Sequence, residues 1–163
     1  MANKNNTKIT AEPGKQELFI VREFEAPREL VFKAFKDPDL LSQWMGPGEM
    51  KMKIEKLHNE SGGSYRFLHY DPNGNEFGFN GVIHEVAEPE RMIRTFEFEG
   101  LPERGHVSLE TALFEALPGG RSKVTIQSVF RSVADRDGLV MSGMERGVVD
   151  SHNRLDELLL KGF

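Results

Sequence analysis

Between Lys51 and Phe130 the sequence falls into six short apolar and aromatic runs, at 51–58, 64–70, 76–86, 92–99, 106–117 and 123–130. Three of the breaks between them, Ser61-Gly62-Gly63, Asp71-Pro72-Asn73-Gly74 and Pro118-Gly119-Gly120, are turn signals only a few residues long. Parallel neighbours need a crossover of about a dozen residues or more. The spacing therefore predicts six antiparallel strands in a meander.

The flanks are different in kind. Glu17–Glu25 reads as a strand with Leu18, Ile20, Arg22 and Phe24 on one face and Phe19, Val21 and Glu23 on the other. Pro27 opens a short helix in which Leu30, Val31, Ala34 and Phe35 recur at helical spacing. Asp37-Pro38 repeats the signal for a second, with Leu41, Trp44 and Met45 as its stripe and Gly46-Pro47-Gly48 as its stop. At the far end Ser132-Val133-Ala134-Asp135 has the form of a capping box. Met141, Met144, Val148, Ser151, Leu155 and Leu158 then predict one closing helix of about 26 residues, roughly 40 Å long. Gly138, Gly143 and Gly147 weaken that helix; they imply close backbone approach, a kink, or volume left for a ligand. Residues 1–16 lack apolar periodicity and are expected to be a mobile tail, with residues 17–163 a single domain. The order predicts an α+β fold, a curved antiparallel sheet of about seven strands around the closing helix.

Composition excludes several functions. The net charge of −5 over 163 residues lacks the positive excess of a nucleic-acid or anionic-membrane surface. With no cysteine there is no disulfide, thiolate nucleophile or zinc–cysteine site. No apolar run approaches the roughly 20 residues of a membrane span, and the first residues lack the apolar core of a signal peptide. A cytoplasmic location is expected. His58, His69, His84, His106 and His152 show no metal-ligand spacing, and Asp71-Pro72-Asn73-Gly74-Asn75 departs from a calcium loop at Glu76 and Val82, so it reads as a hairpin turn. No metal and no cofactor are expected.

Several motifs occur together in order: Arg22-Glu23-Phe24-Glu25-Ala26-Pro27 through Phe32, Asp37-Pro38 through Trp44, Gly46-Pro47-Gly48, Gly62-Gly63, Gly81, Glu85-Val86, Pro89-Glu90-Arg91, Thr95, and the stretch 137–159 ending Arg154-Leu155-Asp156-Glu157-Leu158. As a set they resemble the SRPBCC or START-like superfamily, and within it the bacterial proteins similar to the carboxy-terminal domain of the activator of the ninety-kilodalton heat-shock chaperone's ATPase. The likeness spans residues 17–160. It implies a helix-grip fold with an apolar cavity between sheet and closing helix that holds lipids, sterols, polyketides or hormones in various relatives. Two departures stand out: Asn59-Glu60-Ser61 precedes Gly62-Gly63 where many relatives carry Asp and Arg, and a separate amino-terminal chaperone-docking domain is not expected.

The expected function is binding of a small hydrophobic or aromatic molecule in that cavity, by a monomer or homodimer. Its candidate wall is Trp44, Phe67, His69, Phe77, Phe79, Phe96, Phe98, Phe114, Met141, Met144, Glu145 and Val148. Core packing is the plainer role for the aromatic residues, and a solvated edge the plainer one for Glu145. A cofactor-free cyclase or hydratase using Glu145, His69 or an arginine is an alternative, and a chaperone-stimulating module a weaker one. Arg22, Arg66 and Arg94 interrupt apolar strand faces. They are expected to face water, since an inward arginine needs an acidic partner or an anionic ligand group.

Overall fold

The computed structural model describes residues 5–46 and 48–163. The chain runs β1 (Lys8–Thr10), β2 (Glu17–Phe24), α1 (Arg28–Lys36), α2 (Pro38–Trp44), β3 (Lys51–Leu57), β4 (Ser64–Tyr70), β5 (Glu76–Ala87), β6 (Arg91–Phe98), β7 (Ser108–Leu117), β8 (Arg121–Val129), α3 (Val133–Met141) and α4 (Met144–Lys161). One antiparallel sheet of eight strands results, in the order β1-β2-β8-β7-β6-β5-β4-β3. The meander from β3 to β8 follows the sequence expectation, and β2 docks on β8 with Ile20 opposite Ile126.

The count exceeds the expected seven because Lys8–Thr10, assigned to a mobile tail, pairs with Phe19–Val21. Ile9 lies opposite Ile20, and Thr7 is gripped by Arg22 (3.1 Å) and His152 (3.0 Å). Three residues suffice where they cover an otherwise unpaired strand edge and their neighbour is tied down. Residues 1–4 of that tail, and Pro47 of the second helix stop, lie outside the described residues.

The helix starts are chemical. Asp37 accepts hydrogen bonds from the Asp39 and Leu40 amides at 2.9 and 3.3 Å, with Pro38 at the first position of α2. Ser132 accepts from the Asp135 amide at 3.0 Å. The single closing helix is corrected to two. Gly143 takes φ +85, a left-handed conformation that side chains resist, and this breaks α3 from the 18-residue α4. Of the three roles open to these glycines, the kink is the one Gly143 fills, while a Cβ at Gly138 would meet open space.

Sidedness follows strand alternation. On the outer face Arg66 holds Glu99 through two nitrogens (2.9 and 2.7 Å), and Asn80 reaches the same carboxylate at 2.8 Å. The inner face contributes Phe24, Tyr65, Phe67, Ile83, Phe114 and Val124 to a core shared with Val31 and Phe32 of α1, Leu41 and Trp44 of α2, and Leu155 and Leu159 of α4. Register shifts at Ile54/Lys56 and Ile83/Glu85 accompany the curvature of the sheet. Helix α4 is fixed over β2 and the end of α2 by the Arg22–Asp156 ion pair and by Ser151, whose hydroxyl donates to the Gly46 carbonyl at 2.8 Å.

Candidate functional site

Helices α1 and α2 do not fill the concave face completely. A cavity of about 50 Å³ remains, walled by Phe35, Leu41 and Met45 from the helical side and by Leu57, Phe67, Ile83, Met92, Ala112 and Ile126 from the strands. Most of this wall is apolar. Its exceptions are Asn59 and one ion pair, Arg94 with Glu110.

The pair is a product of register. Arg94 on β6 and Glu110 on β7 are direct cross-strand partners, so both point to the same side of the sheet. Arg94 Nε donates to Glu110 Oε1 at 3.3 Å. The two terminal nitrogens of Arg94 and the second Glu110 oxygen make no hydrogen bond among the described residues. The guanidinium carbon sits 4.7 Å from the centre of the Tyr65 ring, a cation–π arrangement. Tyr65 in turn crosses β5 and donates its hydroxyl to the Thr95 carbonyl at 2.6 Å. Gly81, its cross-strand neighbour, makes this possible: a Cβ there would collide with the Thr95 carbonyl oxygen and lie 2.6 Å from a Tyr65 ring carbon.

Burial and charge act in opposite directions on this group. Burial pulls the Arg94 pKa down, but Tyr65 and Glu110 more than offset it and hold the pKa above the usual arginine value. Burial pushes the Tyr65 phenol up, opposed by Arg94 and reinforced by Glu110. The Tyr65 phenol is therefore protonated and the Arg94 guanidinium charged at neutral pH.

A band of aromatic residues continues along the inner face. Phe67 lies opposite Phe79, and Phe79 opposite Phe98. Phe79 stacks on Phe96 with ring centres 5.4 Å apart, and Phe77 approaches Phe98 at 6.4 Å. Apart from Phe67 these rings are half-buried. His69 meets Phe79 edge-on at 5.1 Å, is buried, and has no partner for Nδ1 among the described residues. Burial pulls its pKa down, so it is neutral at pH 7. Gly46, at φ +94, lies against the same ring: a Cβ there would be 2.8 Å from Nδ1.

The sequence-predicted wall is thus only partly assembled. Phe67 lines the cavity, and Phe77, Phe79, Phe96, Phe98 and His69 gather beside it. Trp44, 3% exposed, is a core residue with its indole nitrogen donating to the Ala34 carbonyl at 2.9 Å. Phe114 is likewise sealed between Phe32 and Phe35. Met141 is corrected outright: it ends α3 before the Gly143 break and is 86% exposed. Met144 and Val148 are half-buried on the first turns of α4, and Glu145 is exposed. Two of the three arginines expected to face water face inward, Arg22 to Asp156 and Arg94 to Glu110. Glu110 itself gave no sequence signal, although its place one strand across from Arg94 could have been found by aligning the meander register.

A larger groove of about 800 Å³ lies outside the core, lined by Glu29, Lys33, Lys36, Asp37, Pro38, Asn59, Glu88 and Pro89. Its lining is mostly charged, and Lys36 and Glu88 pair across it at 3.5 Å. Asn59 borders both spaces and donates to the Lys36 carbonyl at 3.0 Å. Among the described residues no group of three or more His, Cys, Asp or Glu side chains could hold a metal ion, and no helix is long and apolar enough to cross a membrane.

A sheet curved around helices, with an apolar cavity on its concave side, defines a helix-grip protein of the SRPBCC or START-like kind. Residues 25–160 match the family described as Activator of Hsp90 ATPase homolog 1-like protein, and the chain belongs to that family. Its fold is similar to that of a protein from Arthrobacter aurescens solved by NMR, at TM-score 0.85 and 23% identity, covering 95% of this chain and 92% of that one. A crystal structure from Rhodobacter sphaeroides has TM-score 0.85 at 22% identity, covering 94% and 99%. The protein Ms6760 of Mycobacterium smegmatis has TM-score 0.84 at 22% identity, covering 94% and 96%. At such identities the likeness speaks for the fold alone. No curated protein matches the sequence significantly.

Proposed function

We propose that this chain binds a small, mainly apolar molecule on the concave face of its sheet, with one end in the cavity and the body along the half-buried phenylalanines. The observation that carries this reading is the cavity's composition. An apolar wall containing a few placed polar groups is the usual makeup of a small-molecule site, and here those groups include a charged pair joined by a single hydrogen bond.

The volume sets a condition. Ligand pockets commonly reach about 300–1,000 Å³, so about 50 Å³ admits only the tip of a ligand. Met45 and Met92, both on the wall, are unbranched and adaptable, and their rotation enlarges the space without moving the backbone. The rings of Phe79 and Phe96 supply a surface for an aromatic body.

The test is a titration of the purified protein with neutral alkylbenzenes and amphiphiles, followed by amide chemical shifts and by the fluorescence of Trp44, whose ring lies 4.8 Å from Phe35 on the cavity wall. Saturable shifts at cavity residues are expected. A core that responds to none of the compounds overturns the reading.

A further inference from the structure

If the concave face holds a ligand, the ion pair in its wall restricts what that ligand can be. Arg94 and Glu110 both line the cavity, and their side chains are 30% and 21% exposed. Only one hydrogen bond joins them, from Nε to Oε1 at 3.3 Å. The pair therefore keeps N–H donors beside a carboxylate oxygen acceptor available. The guanidinium cannot swing away freely, because it rests on Tyr65, and Tyr65 is pinned across Gly81 to the Thr95 carbonyl. The donor–acceptor pair is thus preorganised.

We propose that Arg94 and Glu110 form the polar anchor of the ligand site, and that the anchor selects an uncharged head group bearing an acceptor and a donor side by side, such as a primary carboxamide. This rests on the ligand-binding reading above. The carbonyl oxygen of such a group accepts from Arg94 while its N–H donates to Glu110, so each side of the pair gains a partner. A carboxylate satisfies the arginine but places a second negative charge against Glu110. A hydrocarbon end leaves both groups unmatched.

Size and direction agree. Space of about 50 Å³ takes a head of a few heavy atoms, given that one water occupies about 30 Å³ of liquid. Phe96 follows Arg94 by two residues on β6 and so lies on the same face, about 6.6 Å further along the strand. A two- or three-carbon spacer carries an aromatic ring from the anchor onto Phe96 and Phe79.

Three probes of one skeleton test this: propylbenzene, hydrocinnamamide and hydrocinnamate, titrated by amide shifts against the wild-type chain and against Glu110→Gln and Arg94→Met. The amide should bind about tenfold tighter than the hydrocarbon, a difference of about 1.4 kcal/mol, and tighter than the carboxylate. In E110Q the preference should invert towards the carboxylate, since the repelling charge is gone while the guanidinium stays. In R94M the amide advantage should vanish with propylbenzene binding retained. Equal binding of amide and hydrocarbon, or a wild-type preference for the carboxylate, overturns the anchor but leaves the ligand site standing. If E110Q and R94M fail to fold, the wild-type ranking alone decides. Absence of binding by all three probes overturns the ligand-binding reading and the anchor with it.

Discussion

Arg22 Nη2 lies 3.6 Å from Asp156 Oδ2, with side-chain exposures of 1% and 4%, and this pair joins β2 to α4 through the core. Its surroundings are incompletely satisfied: Arg22 Nη1 donates to Thr7 and to Asn153 at 3.1 and 3.0 Å, but Arg22 Nε and Asp156 Oδ1 have no hydrogen-bond partner among the described residues. Breaking such a pair costs about 3–5 kcal/mol, while replacing both partners with apolar groups is often neutral. The two single changes should differ. Arg22→Met leaves a carboxylate that escapes by taking up a proton, since burial already pushes the Asp156 pKa up. Asp156→Asn leaves a guanidinium with no such route. Urea denaturation at pH 7 should find Asp156→Asn the costlier. The deficit of Arg22→Met should shrink as pH falls, because a group with a raised folded-state pKa stabilises at low pH and loses that contribution as pH rises through it.

His152 gives the opposite pH dependence. Burial, reinforced by Arg22, pulls its pKa down from 6.5 to about 4. The folded chain holds it neutral, so its contribution is complete above pH 6.5 and is lost as pH falls towards 4. The loss should be about 3 kcal/mol. His106, raised by its hydrogen bond to Asp135, runs the other way and loses its contribution as pH rises. Thermal unfolding of wild type and His152→Gln from pH 7.5 to 4 separates them: the acid-side drop should be smaller in the variant.

Gly81→Ala should be more harmful than its single methyl suggests. The added carbon meets a backbone carbonyl, which cannot step aside, and the Tyr65 ring. Overpacking of this kind typically costs about 1–3 kcal/mol, and displacement of Tyr65 also removes the support beneath Arg94. The expected result is lower stability together with shifted Tyr65 and Arg94 resonances. By contrast Gly138→Ala, where nothing lies within 4 Å, should stabilise α3 by up to about 1 kcal/mol.

The only tryptophan, Trp44, is buried with its indole nitrogen bonded to the Ala34 carbonyl. Acrylamide should quench it poorly in the native state and freely in urea. Trp44→Phe should cost about 1–3 kcal/mol for the orphaned carbonyl and lost packing.

The elements that were legible in the sequence are those governed by local rules. Asp37-Pro38 and Ser132 set helix starts by capping, and the glycine turns dictated an antiparallel meander. The misreadings depend on partners distant in the chain. Lys8–Thr10 forms a strand only because β2 offers an edge and His152 reaches Thr7. Helical periodicity carries Met141 into the closing helix, but the left-handed Gly143 between α3 and α4 resets the phase and turns that side chain outward. Arg94 and Arg66 look alike in a strand; strand parity and an acidic neighbour across the sheet decide which way each points. The aromatic half of the candidate site could be read from its phenylalanines, whereas its charged half required the β6–β7 register.

The most direct test of the account is an NMR titration of the protein with hydrocinnamamide to saturation, with intermolecular NOEs collected at the endpoint. The account predicts NOEs from the ring to Phe79 and Phe96, contacts from the chain to Met92 and Ala112, and shifts at Arg94 and Glu110. Shifts confined to the outer groove of Lys33, Lys36 and Glu88, or no shifts at all, would contradict it.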